Sequence, residues 1–154
     1  DAETGATVWV ANQLGSAVHL LGVVDGTLVA SGNQLWALEA RSGRVRFVWP
    51  GSEHAGVRGF GRGLIAGREV FWPTRDKILV FDVATGEQSR EPIALGPTSD
   101  CGANLVAAEG RLIVVGKNRM MAYGGQAAPK PREESAEDVE TVAVKTQAEN
   151  WADW

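Results

Sequence analysis

Three side chains that could recognise an anion lie in one glycine-rich segment, residues 51–63. They are His54, Arg58 and Arg62. An arginine side chain offers several N–H donors in a planar fork, which matches a carboxylate or a phosphate. The segment therefore predicts an anion-binding site at Arg58 and Arg62. The alternative is a flexible connector whose arginines are solvated or paired with nearby acids.

A tryptophan and an arginine three residues apart, Trp72 and Arg75, form a second candidate. Together they could hold a ligand by stacking and ion pairing. The competing interpretation is structural, because Pro73 cannot donate to a strand ladder and is expected to end a strand. Arg75 and Asp76 would then lie on a surface turn.

The single cysteine lacks the surroundings of a nucleophile. Cys101 follows Asp100, and a neighbouring carboxylate disfavours the reactive thiolate. One cysteine cannot form an internal disulfide, and no cysteine–histidine spacing resembles a zinc site. We therefore predict no catalytic residue and no metal site, and retain Asp100 only as a polar binding candidate.

The charges divide the chain into a neutral body and an acidic tail. Of 154 residues, 15 are Lys or Arg and 19 are Asp or Glu, which gives a net charge of −4. Residues 1–124 hold 12 of each sign, so the whole net charge belongs to residues 125–154. A neutral body argues against nucleic-acid binding. No apolar run approaches the roughly 18 residues of a membrane span.

The tail carries a further candidate site. Its first residues, 124–131, have the composition of a linker, and the following stretch allows a capped helix from Ser135 or a strand at 141–144. The chain ends with Trp151 and Trp154 among acids. Tryptophan is favoured at the centres of protein contacts, so these residues predict a plug that docks on a partner or on a neighbouring blade. A solvated tail is the alternative.

The body repeats one figure, an apolar run, a turn with glycine and a second apolar run. Gly26, Gly67 and Gly110 mark three such turns, 41 and 43 residues apart. The Asp-Gly pair at 25–26 is a strong hairpin signal. A period near 42 with about four short strands per unit is typical of a β-propeller blade. The sequence therefore predicts an all-β fold of antiparallel blades.

About three blades fit into the chain, with the repeats ending near residue 124. The predicted blades are 1–15 (partial), 16–56, 57–98 and 99–124 (partial), followed by the acidic linker and tail, 125–154. A propeller ring usually has about four to eight blades. We therefore expect a segment of a longer propeller, or a unit that closes its ring with other chains.

A Thr-Gly element, or Ser-Gly in one case, occurs three times, at residues 4–5, 42–43 and 85–86, and indicates the propeller type. The chain resembles the PQQ-like β-propeller repeat, found in quinoprotein dehydrogenases and in the assembly factor BamB, whose docking motif is Ala-x-Asp-x-x-Thr-Gly-Lys-x-x-Trp. The matching residues are Asp1, Thr4, Gly5 and Trp9, then Ala37 and Gly43, then Asp82, Thr85 and Gly86. Phe47 and Arg90 depart from the motif tryptophan. The WD40 repeat is the competing family, because Leu79–Asp82 resembles its ending.

The resemblance implies a tryptophan that packs between neighbouring blades, and an extracytoplasmic location in a bacterium. The quinone-dependent enzymes of the family have adjacent cysteines, an acidic base and a calcium site, and this sequence shows no such cluster. We therefore expect a non-catalytic scaffold or protein-binding module without a cofactor. Two alternatives stay open: a part of a quinone-dependent dehydrogenase whose catalytic residues lie outside this segment, and a homo-oligomer that closes its own ring.

Overall fold

The computed structural model describes residues 1–51, 54–95, 104–116 and 119–124, and its elements there are eleven β-strands. The first sheet contains β1 (Ala17–Val24), β2 (Thr27–Gly32), β3 (Leu35–Glu39) and β4 (Val45–Trp49). The second sheet contains β5 (Leu64–Ala66), β6 (Glu69–Pro73), β7 (Lys77–Asp82) and β8 (Ile93–Ala94). The third sheet contains β9 (Asn104–Ala108), β10 (Arg111–Val115) and β11 (Met120–Tyr123).

Each sheet is an antiparallel meander in chain order, and the first strands of successive sheets, β1, β5 and β9, contact one another. This is the arrangement of propeller blades, in which each new blade begins at the innermost strand. The expected all-β propeller fold, with an incomplete ring in this chain, is confirmed.

The hairpins joining the first two strands of each blade explain the repeat. Asp25 and Gly26 have φ of 47° and 71°, and Glu109 and Gly110 have φ of 52° and 67°, which a type I′ turn requires. In the second blade only Gly67, with φ of 61°, occupies this region. It takes the first turn position, so the equivalent positions, Asp25, Gly67 and Glu109, are each 42 residues apart.

The hydrophobic core lies between the sheets. The first and second sheets share one cluster, which includes Val29, Leu35, Trp72 and Phe81, and the second and third share another, which includes Ile78 and Val114. The second sheet therefore buries both faces. Its strand β7 accordingly has four consecutive buried residues.

Two regions depart from the expected pattern of about four strands per blade. The fourth strand of the second blade consists of Ile93–Ala94 and an isolated bridge between Phe81 and Gln88. Pro92 has no N–H for a ladder, which explains the interruption. Residues 7–11, which precede the first sheet, have no strand assignment.

Residues 125–154 lie outside the described residues, so the linker and the two alternatives for the tail stay predictions. The blade boundaries also stay predictions.

Candidate functional site

The loops of the three blades divide between two faces. Alternating strand directions place the β1–β2 and β3–β4 loops, and their equivalents, at one end, which we call the turn face. The opposite end, here called the connector face, holds the β2–β3, β6–β7 and β10–β11 loops and the segments that join one sheet to the next. The arginine candidates Arg58, Arg62 and Arg75 all lie on the connector face.

The connector from β4 to β5 is held by backbone hydrogen bonds to all three blades. The N–H of Gly59 donates to the Asn33 carbonyl at 3.1 Å, and the N–H of Phe60 donates to the Pro73 carbonyl at 2.8 Å. The N–H of Arg62 donates to Oδ1 of Asn104 at 3.0 Å, and the N–H of Leu105 donates to the Arg62 carbonyl at 2.9 Å. The two connector arginines therefore project from a fixed backbone.

The connector can lie this close to the first two blades because residue 59 is a glycine. A Cβ at this position would lie 2.1 Å from the Gly32 carbonyl oxygen and 2.6 Å from Nε1 of Trp72. Gly32 has a comparable role, since a Cβ there would lie 1.7 Å from the Ser16 carbonyl oxygen. These two glycines let the segments before β1 and after β4 approach the β2–β3 loop.

A cavity of about 400 Å³ lies where these segments meet, with Arg58 on its wall. Its polar lining consists of Ser16, Asn33, Gln34 and Arg58, and Pro50 and Val57 add apolar surface. None of the described side chains that line it is acidic, and each of the four polar ones can donate a hydrogen bond. The arrangement suits an anion with several acceptor atoms.

The ion pairs between described residues all lie toward the turn face. They join Arg44 to Glu39 at 3.5 Å, Arg68 to Asp25 at 3.9 Å and Arg90 to Glu69. Within the described part of the chain, no ion pair engages Arg58, Arg62 or Arg75, and all three are exposed. The connector face thus presents cations that the blades do not neutralise.

The structure places Trp72 in the core and not beside Arg75 on a surface. Trp72 is fully buried, and its ring packs edge-on against Trp49 with centroids 5.2 Å apart. Its Nε1 has no hydrogen-bond partner among the described residues. Trp49 also stacks on His54, at 5.6 Å. Trp72 therefore packs beneath the connector and contacts it at Gly59.

Some residues of this face were missed by sequence reasoning, and others lie outside the described ranges. Asn33, Gln34 and Asn104 were not predicted, because their importance comes from segments that are distant in the chain. Asp100, Trp151 and Trp154 lie outside the described residues, as does Cys101, so the binding roles of the first three stay predictions.

On the turn face, the Thr-Gly elements form closely similar turns. Oδ1 of Asp1 accepts from the N–H of Thr4 at 2.9 Å, and Oδ1 of Asp82 accepts from the N–H of Thr85 at 3.0 Å. The glycines that follow, Gly5, Gly43 and Gly86, have φ of 69°, 70° and 74°. The aspartate thus organises the turn, and the glycine supplies its left-handed residue.

Aromatic side chains pack on two of these turns from the neighbouring segment. A Cβ on Gly43 would lie 2.4 Å from the Trp9 ring, whose Nε1 donates to the Ala40 carbonyl at 3.0 Å. A Cβ on Gly86 would lie 2.7 Å from the Phe47 ring. Ala37 is fully buried and pairs with Phe47 across β3 and β4.

Hydrogen bonds on the turn face lower the pKa of three carboxyl groups. The backbone N–H groups of Thr85 and Ala84 lower the pKa of Asp82. The Ser42 hydroxyl, with Arg44, lowers the pKa of Glu39. For Glu69, the hydrogen bond from Arg90 is the main cause of its lowered pKa. Each carboxylate is therefore held in its charged form.

The described residues do not assemble the donors that the calcium of the quinone-dependent enzymes would need. No group of three or more His, Cys, Asp or Glu side chains that could hold a metal ion occurs among them. In the same part of the chain, no helix has the length and hydropathy needed to cross a membrane.

Blades of antiparallel strands, with glycine turns on which aromatic rings of the preceding segment pack, define the class as a β-propeller repeat protein. A family model described as outer membrane protein assembly factor BamB matches residues 1–153. The chain belongs to this family of PQQ-like repeat proteins, and the resemblance seen in the motifs is confirmed.

Comparison with solved structures supports the fold. BamB from Moraxella catarrhalis is 19% identical with a TM-score of 0.59, and the match covers 80% of this chain and 41% of BamB. A quinohemoprotein alcohol dehydrogenase from Pseudomonas putida is 18% identical with a TM-score of 0.52, and the match covers 71% of this chain and 20% of the enzyme. Both likenesses are of fold alone, and the chain spans less than half of either protein. No curated protein sequence matches the chain.

Proposed function

We propose that this chain is a non-catalytic, protein-binding part of a BamB-like propeller in the bacterial cell envelope, with the connector face as its binding surface. The observation that carries the proposal is the set of exposed arginines on that face, Arg58, Arg62 and Arg75, which form no ion pair with any described residue. Arginine is enriched in protein–protein contacts because its fork forms several directed hydrogen bonds.

The rigidity of the connector supports the same proposal. Its backbone is held by Asn33, Pro73 and Asn104, which belong to different blades. A binding surface that is already ordered loses less conformational entropy on association than a mobile loop does. The envelope location is proposed from the family, whose description is an outer membrane assembly factor.

Photo-crosslinking in the native cell tests this function. A photoreactive amino acid replaces Arg62 or Arg75 in the full-length protein, and Arg41 or Glu109 on the turn face serves as the matched control. We expect the two connector positions to give a covalent adduct with the same protein, and the control positions not to form it. Adducts from the turn face alone, or none from the connector face, would contradict the proposal.

A second candidate function, assembly with further blades or a second copy, is favoured by the two outermost sheet faces. Leu21 and Met121 contribute to the cores, so their neighbours Leu20 and Met120 point to the opposite sides. Leu20 is 59% exposed and Met120 is 69% exposed. Apolar faces at both ends of a blade row suit head-to-tail contacts.

A further inference from the structure

We propose that the cavity at Arg58 is a carboxylate-binding pocket that receives an acidic side chain from a segment of the partner protein. This inference rests on the proposed protein-binding function, and it specifies the chemistry of the contact. The shared feature of the pocket is an excess of donors: Arg58, Asn33, Gln34 and Ser16 line it, and the lining has no acidic side chain among the residues that the structure describes.

The donors of the pocket are not used within the described protein. The ion pairs between described residues lie elsewhere, and the side chains of Asn33, Gln34 and Ser16 form no hydrogen bond with other described residues. A carboxylate has two oxygens and about four acceptor positions. It could therefore accept from the guanidinium of Arg58 and from two neighbouring amide or hydroxyl groups at once.

The position of the pocket favours an acidic ligand over a neutral one. The described charged residues at the connector face are Arg58, Arg62, Arg75, Lys77, Arg119 and, as the one acid, Asp76. Asp76 has a local partner, since its Oδ1 accepts from the Thr74 hydroxyl at 3.3 Å. Surrounding cations attract an acidic segment and raise its association rate.

The size of the pocket restricts the ligand to a small part of a chain. A volume of about 400 Å³ lies at the lower end of small-molecule sites, and it suits one or two residues. The wall at Val57 and Pro50 offers apolar contact to the methylene groups of a glutamate. A glutamate side chain therefore fits the lining better than inorganic phosphate does, because phosphate has no apolar part.

NMR titration of the full protein with a short glutamate–glycine peptide, blocked at both ends, tests the pocket. We expect the Nε–H signal of Arg58 and the side-chain amide signals of Asn33 and Gln34 to shift. Arg58→Gln should weaken binding about tenfold or more, and the matched turn-face variant Arg41→Gln should leave it unchanged. A peptide with glutamine in place of glutamate should not bind.

Three outcomes overturn the pocket: equal binding of the glutamine peptide, an equal loss with Arg41→Gln, or tighter binding of inorganic phosphate at the same signals. A peptide with a free C-terminus distinguishes a terminal carboxylate, and shifts that occur only with it also overturn the glutamate assignment. Loss of the protein adduct in photo-crosslinking while the peptide still shifts Arg58 would instead contradict the protein-binding function.

Discussion

At the scale of single residues, the Thr-Gly turns combine two demands on one glycine. Gly43 has φ of 70°, and the Trp9 ring fills the space beside it. Gly26 has nearly the same φ, 71°, but nothing lies within 4 Å of a Cβ there. A comparison of Gly43 with Gly26 therefore separates the cost of a side chain at positive φ from the cost of its overlap with a neighbouring ring.

Gly43→Ala should therefore lower the free energy of unfolding more than Gly26→Ala does. Both variants bear the strain of a left-handed alanine, about 1–2 kcal/mol, and Gly43→Ala adds an overlap with Trp9 of about 1–3 kcal/mol. Urea titration, followed by tryptophan fluorescence, measures both losses. Equal losses would mean that Trp9 does not pack on the turn in solution.

The charged form of Asp82 leads to a pH-dependence prediction. Because backbone N–H groups of Thr85 and Ala84 lower the pKa of Asp82 in the folded state, its contribution to stability is present above the ordinary pKa. That contribution is lost as the pH falls through the folded pKa, below about pH 4. The variant Asp82→Asn should therefore lose less stability than the natural protein between pH 5 and pH 3. Urea titrations at both pH values measure the free energy of unfolding of each protein. Equal losses in the variant and the natural protein would contradict the prediction.

At the scale of elements, the connector decides where the arginines lie. Two of the glycines in residues 51–63 lie in different surroundings. Gly59 lies against Gly32 and Trp72, whereas no described atom lies within 4 Å of a Cβ built on Gly56. The backbone of the β4–β5 connector packs on Trp72 at Gly59. Trp72 is therefore buried beneath the connector, and the neighbouring Arg58 is exposed.

Gly59→Ala should destabilise the protein by about 1–3 kcal/mol and weaken binding of the glutamate peptide at Arg58, because a Cβ forces the connector away from the β2–β3 loop. Gly56→Ala is the matched control and should leave both properties within error. Chemical denaturation and the Arg58 NMR signal measure these effects. Peptide binding that survives in Gly59→Ala would mean that the connector does not position Arg58.

At the scale of the whole molecule, the faces differ in charge and the ends of the blade row are apolar. The turn face pairs its acids and bases, as in Arg68 with Asp25, whereas the arginines of the connector face form no ion pair within the described part of the chain. Leu20 and Met120 mark the two outermost sheet faces. We therefore propose different contacts for the two faces and for the two ends.

The chain of 154 residues should associate with itself through these ends. Leu20→Glu and Met120→Glu should each reduce the associated fraction, because a carboxylate would have to be buried in an apolar contact. The control Arg41→Glu on the turn face should not reduce the associated fraction. Sedimentation velocity over a range of concentrations measures the effect, and a monomer at every concentration would contradict the prediction.

The sequence by itself determined the repeat, the hairpin turns and the family. Turns such as Asp25-Gly26 need only local residues that tolerate positive φ, and strands follow from short apolar runs, so neither requires knowledge of distant contacts. The short fourth strand at Ile93–Ala94 was not predicted, although Pro92 was a local signal for it.

The tertiary structure alone decided which candidates form a site. Trp72 and Arg75 are neighbours in sequence, yet the first is buried against Trp49 and the second is exposed. Arg58 and Asn33 meet because Gly59 bonds to the β2–β3 loop, and Arg62 bonds to Asn104, 42 residues away. Such contacts depend on the packing of one blade on the next, and the local pattern of residues does not encode that packing.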